Sequence, residues 1–209
     1  MGLIRSFFNN TRKPTGLRGR LMLSRMNAEH AAVSDWGMAQ LRATSPRSIA
    51  ELGCGGGRNA AELLRRYPDA NLTAIDYSSE SVGRTARVNA AEVAAGRCRT
   101  LQADVSDLPL PDDSFDLATA FETVYFWPGP VASLREVLRV LKPGGTLLVV
   151  NEADGTDPRD ARWTRVIDGL SIYTEQELVR FLQEAGFVDV RSYCDERRHW
   201  LCLLAEKPV

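Results

Sequence analysis

The sequence has few of the residues that metal sites and disulfide frameworks require. It contains two histidines and four cysteines, and no two cysteines form a CxxC pair. Neither a zinc site nor a disulfide framework is therefore expected, and no bound metal is predicted. The sequence also lacks a run of about 18 apolar residues, so no transmembrane helix is expected. No signal peptide is visible, and we expect a cytoplasmic protein.

The charge balance lacks the basic excess that is typical of a general nucleic-acid binder. The formal net charge is -1, although residues 1–28 carry basic side chains and no acid. A local basic patch therefore stays open as an alternative. The apolar fraction of 44% and the charged fraction of 25% are those of an ordinary soluble globular protein.

From Arg47 onward, short apolar runs alternate with helical patterns. Strands are predicted at 47–52, 71–76, 99–104, 115–121 and 146–152. The intervening helices are predicted at 59–68, 79–95 and 131–141, the second with Val82, Ala86 and Val93 facing inward. The strand runs are almost entirely apolar, as in strands that are buried on both faces. This order predicts βαβ units and a parallel sheet that is covered by helices.

The C-terminal part follows a different pattern. Thr174 and Glu177 predict a capping box at the start of an amphipathic helix. Two further strands, 188–194 and 200–208, are separated by a gap too short for a crossover, which predicts an antiparallel hairpin. The predicted fold class is α/β: a doubly wound, mostly parallel seven-stranded sheet with helices on both faces and this hairpin. Residues 47–209 would form that domain, and residues 1–46 a basic arm and a helical lid.

A glycine-rich turn, within IAELGCGGGRNA at 49–60, follows the first strand. Glycine allows the backbone to come very close to a ligand. Gly55, Gly57 and Ala60 fit the spacing of a dinucleotide-binding turn, whereas the Lys-Ser/Thr pair of a Walker A motif is missing. Glu51 precedes the turn, where a carboxylate would repel a pyrophosphate and attract an ammonium group.

Two acids mark the ends of the next two predicted strands. Asp76 lies 19 residues beyond Gly57, a spacing that places a carboxylate at two ribose hydroxyls. Asp104 ends the third strand and can accept a hydrogen bond from an adenine amino group. A ligand with a ribose, an adenine and an amino-acid tail fits these residues better than a dinucleotide does.

Four motifs occur in a characteristic order: ELGCGGG, AIDYS, QADVSDLPLPDDSFD and LKPGG. With them the chain resembles the class I S-adenosylmethionine (AdoMet)-dependent methyltransferases, especially their small-molecule branch. The resemblance implies transfer of a methyl group to an O, N or C atom of a small organic acceptor, by in-line displacement, with S-adenosylhomocysteine as product. We expect a monomer or a homodimer, and the net charge makes a nucleic-acid partner unlikely. An NAD-dependent oxidoreductase and a non-catalytic AdoMet-binding module stay open as alternatives.

The resemblance also implies a set of cofactor contacts that runs from methionine to adenine. They are Glu51, Gly53 and Gly55 at the methionine, Asp76 at the ribose, Tyr77, Asp104 and Val105 at the adenine, and Phe121 near the sulfonium.

The segment AFETVYFWPGP follows the fourth strand and should lie beside the reactive methyl group. We expect Glu122 to deprotonate or orient the acceptor, Tyr125 to form an aromatic wall, and His30 to serve as a base or cofactor contact. The Asn/Asp-Pro-Pro-aromatic tetrad of DNA and protein amide methylases is missing, which disfavours a nucleic-acid amino group as acceptor. Further pocket walls are predicted from Met26, Asn27, Trp36, Trp163 and Tyr173, whereas His199 and Trp200 are predicted to be structural.

Overall fold

The computed structural model describes residues 30–41 and 45–209. The basic arm predicted over 1–28 and the two lid residues Met26 and Asn27 lie outside this part of the chain. The helices are α1 (Ala31–Met38), α2 (Arg58–Arg66), α3 (Ser79–Val88), α4 (Ala90–Ala94), α5 (Pro130–Val140), α6 (Asp160–Val166) and α7 (Glu175–Ala185). The strands are β1 (Ser48–Leu52), β2 (Asn71–Asp76), β3 (Cys98–Gln102), β4 (Phe115–Phe121), β5 (Leu141–Asn151), β6 (Val188–Asp195) and β7 (Trp200–Glu206).

The strands form one seven-stranded sheet in the order β3-β2-β1-β4-β5-β7-β6. The pairs from β3 to β5 are parallel, and β7 runs antiparallel to both β5 and β6. This architecture confirms the predicted fold class, including the C-terminal hairpin.

Two apolar layers cover the sheet, one on each face. One layer contains Leu134 of α5 and Leu178 of α7, and the other contains Val33 of α1 and Leu63 of α2. The helices that follow β1 and β4 therefore lie on opposite faces, although β1 and β4 are neighbours in the sheet. In a doubly wound sheet, this topological switch point opens a crevice at the carboxyl ends of the strands, where ligands bind.

The helix predicted over 79–95 is divided at Asn89, and the predicted inward position of Val93 is wrong. Val93 is 38% exposed, whereas Ser81, Thr85 and Asn89 are buried. The side chain of Asn89 donates hydrogen bonds to the carbonyl groups of Gly57 and Thr85, each at 3.0 Å. The polar face is buried because it packs against the glycine turn, whose carbonyl groups require donors.

The helix before the hairpin, α7, begins as the sequence pattern predicts. Thr174 caps α7 and forms the predicted capping box, because its hydroxyl accepts the N–H of Glu177 and the Glu177 carboxylate accepts the N–H of Thr174. Such a cap contributes about 1 kcal/mol to helix stability. The helix then ends at Gly186, whose φ of 107° a side chain would disfavour.

The first described helix, α1, packs directly on the sheet. Val33 and Met38 are buried in the core, and a Cβ atom at Gly37 would lie 2.3 Å from a methyl group of Val150. Glycine at position 37 thus allows α1 to approach β5 closely. Among the described residues, no helix combines the length and the hydropathy that a membrane span would need.

Candidate active site

The glycine turn is attached to the end of the neighbouring strand. The backbone N–H groups of Gly53 and Cys54 both donate to the carbonyl of Ile75, at 2.8 and 2.9 Å. Gly53 has a φ of 81°, and a Cβ atom there would lie 2.7 Å from Thr123. Both the left-handed backbone and the contact require glycine. The turn therefore lies close to β2 on one side and to the segment after β4 on the other.

Asp76 holds the turn from the end of β2. One carboxylate oxygen accepts the N–H of Gly55 at 3.0 Å, and the other accepts the N–H of Ser78 at 2.9 Å. Burial raises the pKa of Asp76, and these backbone hydrogen bonds oppose that increase. Each carboxylate oxygen can accept more than one hydrogen bond, so Asp76 retains acceptor capacity for a ligand.

Glu51 lies at the end of β1, below the turn, and is only 1% exposed. Its Oε2 atom is buried and has no hydrogen-bond partner among the described residues. Burial and the nearby charge of Asp76 raise the pKa of Glu51 well above its usual value. A buried carboxyl oxygen without a partner costs free energy, which an ammonium group of a ligand can recover.

A cavity of about 1420 Å³ opens at the carboxyl ends of the strands. Typical small-molecule pockets have volumes of about 300–1,000 Å³, so this one has room for two ligands side by side. The half next to β1, β2 and β3 is lined by the glycine turn and by Asp76, Tyr77, Asp104 and Val105. The other half is lined by the segment after β4, the end of β5 and residues of 157–172.

Glu122 follows β4 with a φ of 58°, a left-handed conformation that is uncommon for a residue other than glycine. Its backbone N–H donates to the carbonyl of Val150, and its Oε1 atom accepts the N–H of Glu152. Burial and the charge of Glu152 raise the pKa of Glu122 to about 8. Glu122 is therefore largely protonated near neutral pH, when it can donate a hydrogen bond as well as accept one.

Tyr125 and His30 lie around the same carboxyl group. The hydroxyl of Tyr125 accepts the N–H of Ala153 at 3.1 Å, and burial raises its pKa well above the usual value. His30 Nε2 lies 3.4 Å from a carboxylate oxygen of Glu152, and the histidine lowers the pKa of Glu152. Both side chains line the cavity together with Glu122. The three predicted acceptor-side residues are thus brought together.

The chain is similar to known proteins in sequence and in fold. The family model described as "Methyltransferase domain" matches residues 50–149. The chain belongs to the class I AdoMet-dependent methyltransferases. An O-methyltransferase from Pyrenophora dematioidea is 29% identical over 163 residues, which cover 74% of this chain and 61% of that protein. The 2-methyl-6-phytyl-1,4-hydroquinone methyltransferase 1 of Oryza sativa is 26% identical over 162 residues, 74% of this chain and 47% of that protein.

The chain thus spans less than two thirds of the length of either relative. Among solved structures, one similar chain comes from the complex of the Haloferax volcanii Trm112 methyltransferase activator and the putative methyltransferase. It has a TM-score of 0.78 and 20% identity, over 90% of this chain and 94% of that chain. At this identity, the likeness concerns the fold alone.

Methyltransferases of this class take their methyl group from AdoMet, and the residues around the glycine turn fit this molecule. AdoMet carries an ammonium group, a ribose and an adenine. The unpartnered Oε2 of Glu51 is suited to the ammonium group, and the carboxylate of Asp76 to the ribose hydroxyls. A dinucleotide has a pyrophosphate instead, which the Glu51 carboxylate would repel. Family membership and this charge therefore disfavour the oxidoreductase alternative.

The predicted cofactor contacts converge on the donor half of the cavity. All of them line it except Glu51, which lies beneath the turn: Gly53, Gly55, Asp76, Tyr77, Asp104, Val105 and Phe121. Asp104 is exposed beyond β3, because this strand ends at Gln102 rather than at 104. One of its oxygens accepts two hydrogen bonds from Ser106. Their individual roles toward AdoMet stay predictions.

Two of the predicted pocket walls are wrong. Trp36 packs against Trp200, with ring centroids 5.8 Å apart, and Tyr173 packs against Phe181 at 5.3 Å. Neither Trp36 nor Tyr173 lines the cavity, whereas Trp163 does. His199 and Trp200 were predicted to be structural, but both line the cavity. The antiparallel β7 starts beside the end of β5, and this register brings its first residues to the cavity.

Sequence reasoning also missed a group of cationic side chains at the cavity. Arg58, Arg159, Arg162, Arg197 and Arg198 all contribute to its lining. Several of them pair with acids, such as Arg58 with Asp35 and Arg159 with Asp157, both at 2.6 Å. For Arg197 and Arg198, the available signal is the DERR sequence before β7, which the sequence pattern places in the hairpin connection.

Proposed function

We propose that this protein transfers a methyl group from AdoMet to a small organic acceptor that binds over Glu122 and Tyr125. The observation that carries the proposal is the buried, unpartnered Oε2 of Glu51 below the glycine turn. This oxygen can bind the ammonium group of an amino-acid tail, which AdoMet has and a dinucleotide lacks. The size of the cavity supports the second ligand, because AdoMet alone would leave the β5 side open.

The donor half would bind and orient AdoMet, which supplies an electrophilic methyl group on its sulfonium. Glu51 would pair with the ammonium group and Asp76 with the ribose hydroxyls. Asp104 and the backbone of Val105 would contact the adenine, with Tyr77 beside it. Phe121 lies at the boundary between the two halves, since it ends β4 directly before Glu122. Its ring would pack near the sulfonium end and help to exclude water from it.

On the acceptor side, most of the rate enhancement would come from holding a nucleophilic atom in line with the methyl group. Glu122 and Tyr125 would orient the acceptor by hydrogen bonds, since the Glu122 carboxyl and the Tyr125 hydroxyl are each held by the backbone after β5. A base is needed only if the acceptor carries a proton that must leave. His30 would take up that proton, with Glu152 stabilising the imidazolium.

A small acceptor is supported by the shape of the site and by the relatives. The acceptor half is lined by residues of 157–172, among them Trp163 and Leu170. The rice relative is named for a hydroquinone acceptor. The arginine side chains around the cavity are in part neutralised by acids, which does not favour a polyanionic nucleic acid.

The test is turnover with methyl-labelled AdoMet and a small-molecule metabolite extract. We expect labelled product in the small-molecule fraction, together with S-adenosylhomocysteine. Glu122→Gln and Tyr125→Phe should lower kcat while the AdoMet Kd stays within about twofold. Tyr193→Phe, on β6 outside the cavity lining, is the matched control and should retain full activity. Tight AdoMet binding without any labelled product would instead indicate a non-catalytic AdoMet-binding module.

A further inference from the structure

Three side chains with metal-binding atoms converge at the acceptor end of the cavity. One ligand atom from each of His30, Glu122 and Glu152 lies within 4.8 Å of the other two. The residues come from separate parts of the chain: His30 directly precedes α1, Glu122 follows β4, and Glu152 follows β5. The proximity is therefore produced by the packing of α1 on the sheet, and not by neighbours within one loop.

The three groups are held in place and are accessible from the cavity. Glu122 is fixed by hydrogen bonds to Val150 and Glu152. His30 Nε2 is 3.4 Å from Glu152 Oε1, and the Glu152 side chain is 48% exposed. All three residues line the cavity. An ion can thus reach them from solvent, and the side facing the cavity is open to a further ligand.

The donor set indicates the class of ion. Donor atoms about 2.0–2.2 Å from a metal lie roughly 3–4 Å from one another, and the His30–Glu152 distance is already in that range. Two neighbouring carboxylates repel each other, and a cation between them removes this cost. One imidazole with two carboxylates suits first-row divalent ions such as Mn²⁺ and Zn²⁺ better than Ca²⁺, which prefers oxygen ligands alone.

We propose that His30, Glu122 and Glu152 bind a first-row divalent transition-metal ion at the acceptor end of the cavity. Three protein ligands leave coordination positions open, as in catalytic metal sites. Those positions face the cavity and would take an oxygen or nitrogen atom of the methyl acceptor. An ion bound at His30 Nε2 would take the place of the proton that this nitrogen accepts in the ion-free protein. This second part deepens the proposed function and rests on it, whereas ion binding itself does not depend on it.

The test is calorimetric titration of Mn²⁺, and separately Zn²⁺, into the full chain without AdoMet. We expect one ion per chain, with the Kd raised at least 100-fold in Glu152→Gln and in His30→Gln. Loss of an outer-shell partner typically costs about 10–100-fold, and loss of a ligand should exceed that. Glu122→Gln should weaken binding similarly, and it keeps the oxygen that accepts the N–H of Glu152. Unchanged AdoMet affinity and Tm would show that these variants are folded.

Two control variants separate this site from other groups with metal-binding atoms. Cys194→Ser removes an exposed thiol beside Glu175, and His199→Asn removes a histidine 3.3 Å from Asp154. Both should bind Mn²⁺ as tightly as the unmodified protein does. No binding to the unmodified protein, equal binding in Glu152→Gln, or loss in either control would overturn the inference. AdoMet affinity that persists in those cases would leave the proposed function intact.

Discussion

Asp76 accepts the backbone N–H of Gly55 at 3.0 Å, so the end of β2 fixes the glycine turn that follows β1. This hydrogen bond joins the two elements that form the donor half of the cavity. The same carboxylate lines that half and is 7% exposed. It therefore has two roles, one in shaping the turn and one toward a ligand, and they can be separated by mutation.

Asp76→Ala should raise the AdoMet Kd about 100-fold. Each hydrogen bond to a charged group contributes about 1.5–3 kcal/mol, and about 1.4 kcal/mol corresponds to tenfold in affinity. Asp76→Asn keeps one oxygen for the turn and should retain the Tm better while still losing most of the affinity. Calorimetry and thermal unfolding measure the two effects. Asp107→Ala, outside the cavity lining, is the matched control, and equal affinity in all of these proteins contradicts the assignment.

AdoMet binding should release protons and become tighter as the pH rises. Burial and Asp76 raise the pKa of Glu51, so the free protein holds this proton to a higher pH than an exposed glutamate does. An ammonium group favours the ionised carboxylate and lowers that pKa again, which expels the proton. Titration in two buffers with different ionisation enthalpies measures the release. Glu51→Gln should abolish both the release and the pH dependence, and proton uptake by the unmodified protein would contradict the pairing.

The stability of the free protein should also depend on Glu51. Because its pKa is raised in the folded state, its contribution to stability is fully present below the usual pKa of a glutamate and is lost as the pH rises toward the raised value. Glu51→Gln should therefore gain in Tm relative to the unmodified protein as the pH increases from about 4 to 8. A Tm difference that stays constant with pH would show that Glu51 is not the group that titrates.

Gly53→Ala should destabilise the protein more than Gly96→Ala does. The two glycines have similar left-handed φ values, 81° and 76°, but a Cβ atom at Gly53 would contact Thr123 at 2.7 Å, whereas nothing lies within 4 Å at Gly96. The backbone conformation alone costs about 1–2 kcal/mol. With the added contact, Gly53→Ala should lose roughly 3–5 kcal/mol of unfolding free energy. Equal losses in denaturant unfolding would contradict the close approach of the turn to the segment after β4.

Asn89→Ala should cost roughly 1–3 kcal/mol of unfolding free energy and weaken AdoMet binding. The substitution removes the side-chain donor to the carbonyl groups of Gly57 and Thr85, and each lost hydrogen bond costs about 0.5–1.5 kcal/mol. The two carbonyl groups keep their backbone donors, the N–H groups of residues 61 and 89. Asn71→Ala, at the exposed start of β2, is the matched control and should change stability by no more than about 0.5 kcal/mol. Denaturant titration measures both, and similar values for the two variants would contradict a role for Asn89 in holding the turn.

The sequence patterns predicted the sheet and the hairpin because these depend on local signals. The Thr174–Glu177 capping box and the mostly apolar run of β4 can be recognised within a few residues. The burial of Thr85 and Asn89 was not predicted, because these polar side chains are buried for their hydrogen bonds to the glycine turn, and hydrophobic periodicity does not detect such partners.

In the candidate site as well, the positions set by strand ends could be predicted, whereas those set by tertiary packing could not. Glu51, Asp76 and Glu122 lie at strand ends, and the parallel sheet brings strand ends together, so their neighbourhood could be predicted. The placement of Trp36 against Trp200 depends on how α1 packs on the sheet. His199 reaches the cavity through the antiparallel register of β7 with β5, which no short-range pattern encodes.

The most direct test of the central claim is a competition titration of AdoMet and NAD⁺ against the same protein. We predict one AdoMet bound per chain, no displacement by NAD⁺ at millimolar concentration, and weaker AdoMet binding in both Glu51→Gln and Asp76→Ala. Binding of NAD⁺ without binding of AdoMet would contradict the account of the glycine turn, of Glu51 and of the proposed methyl transfer together.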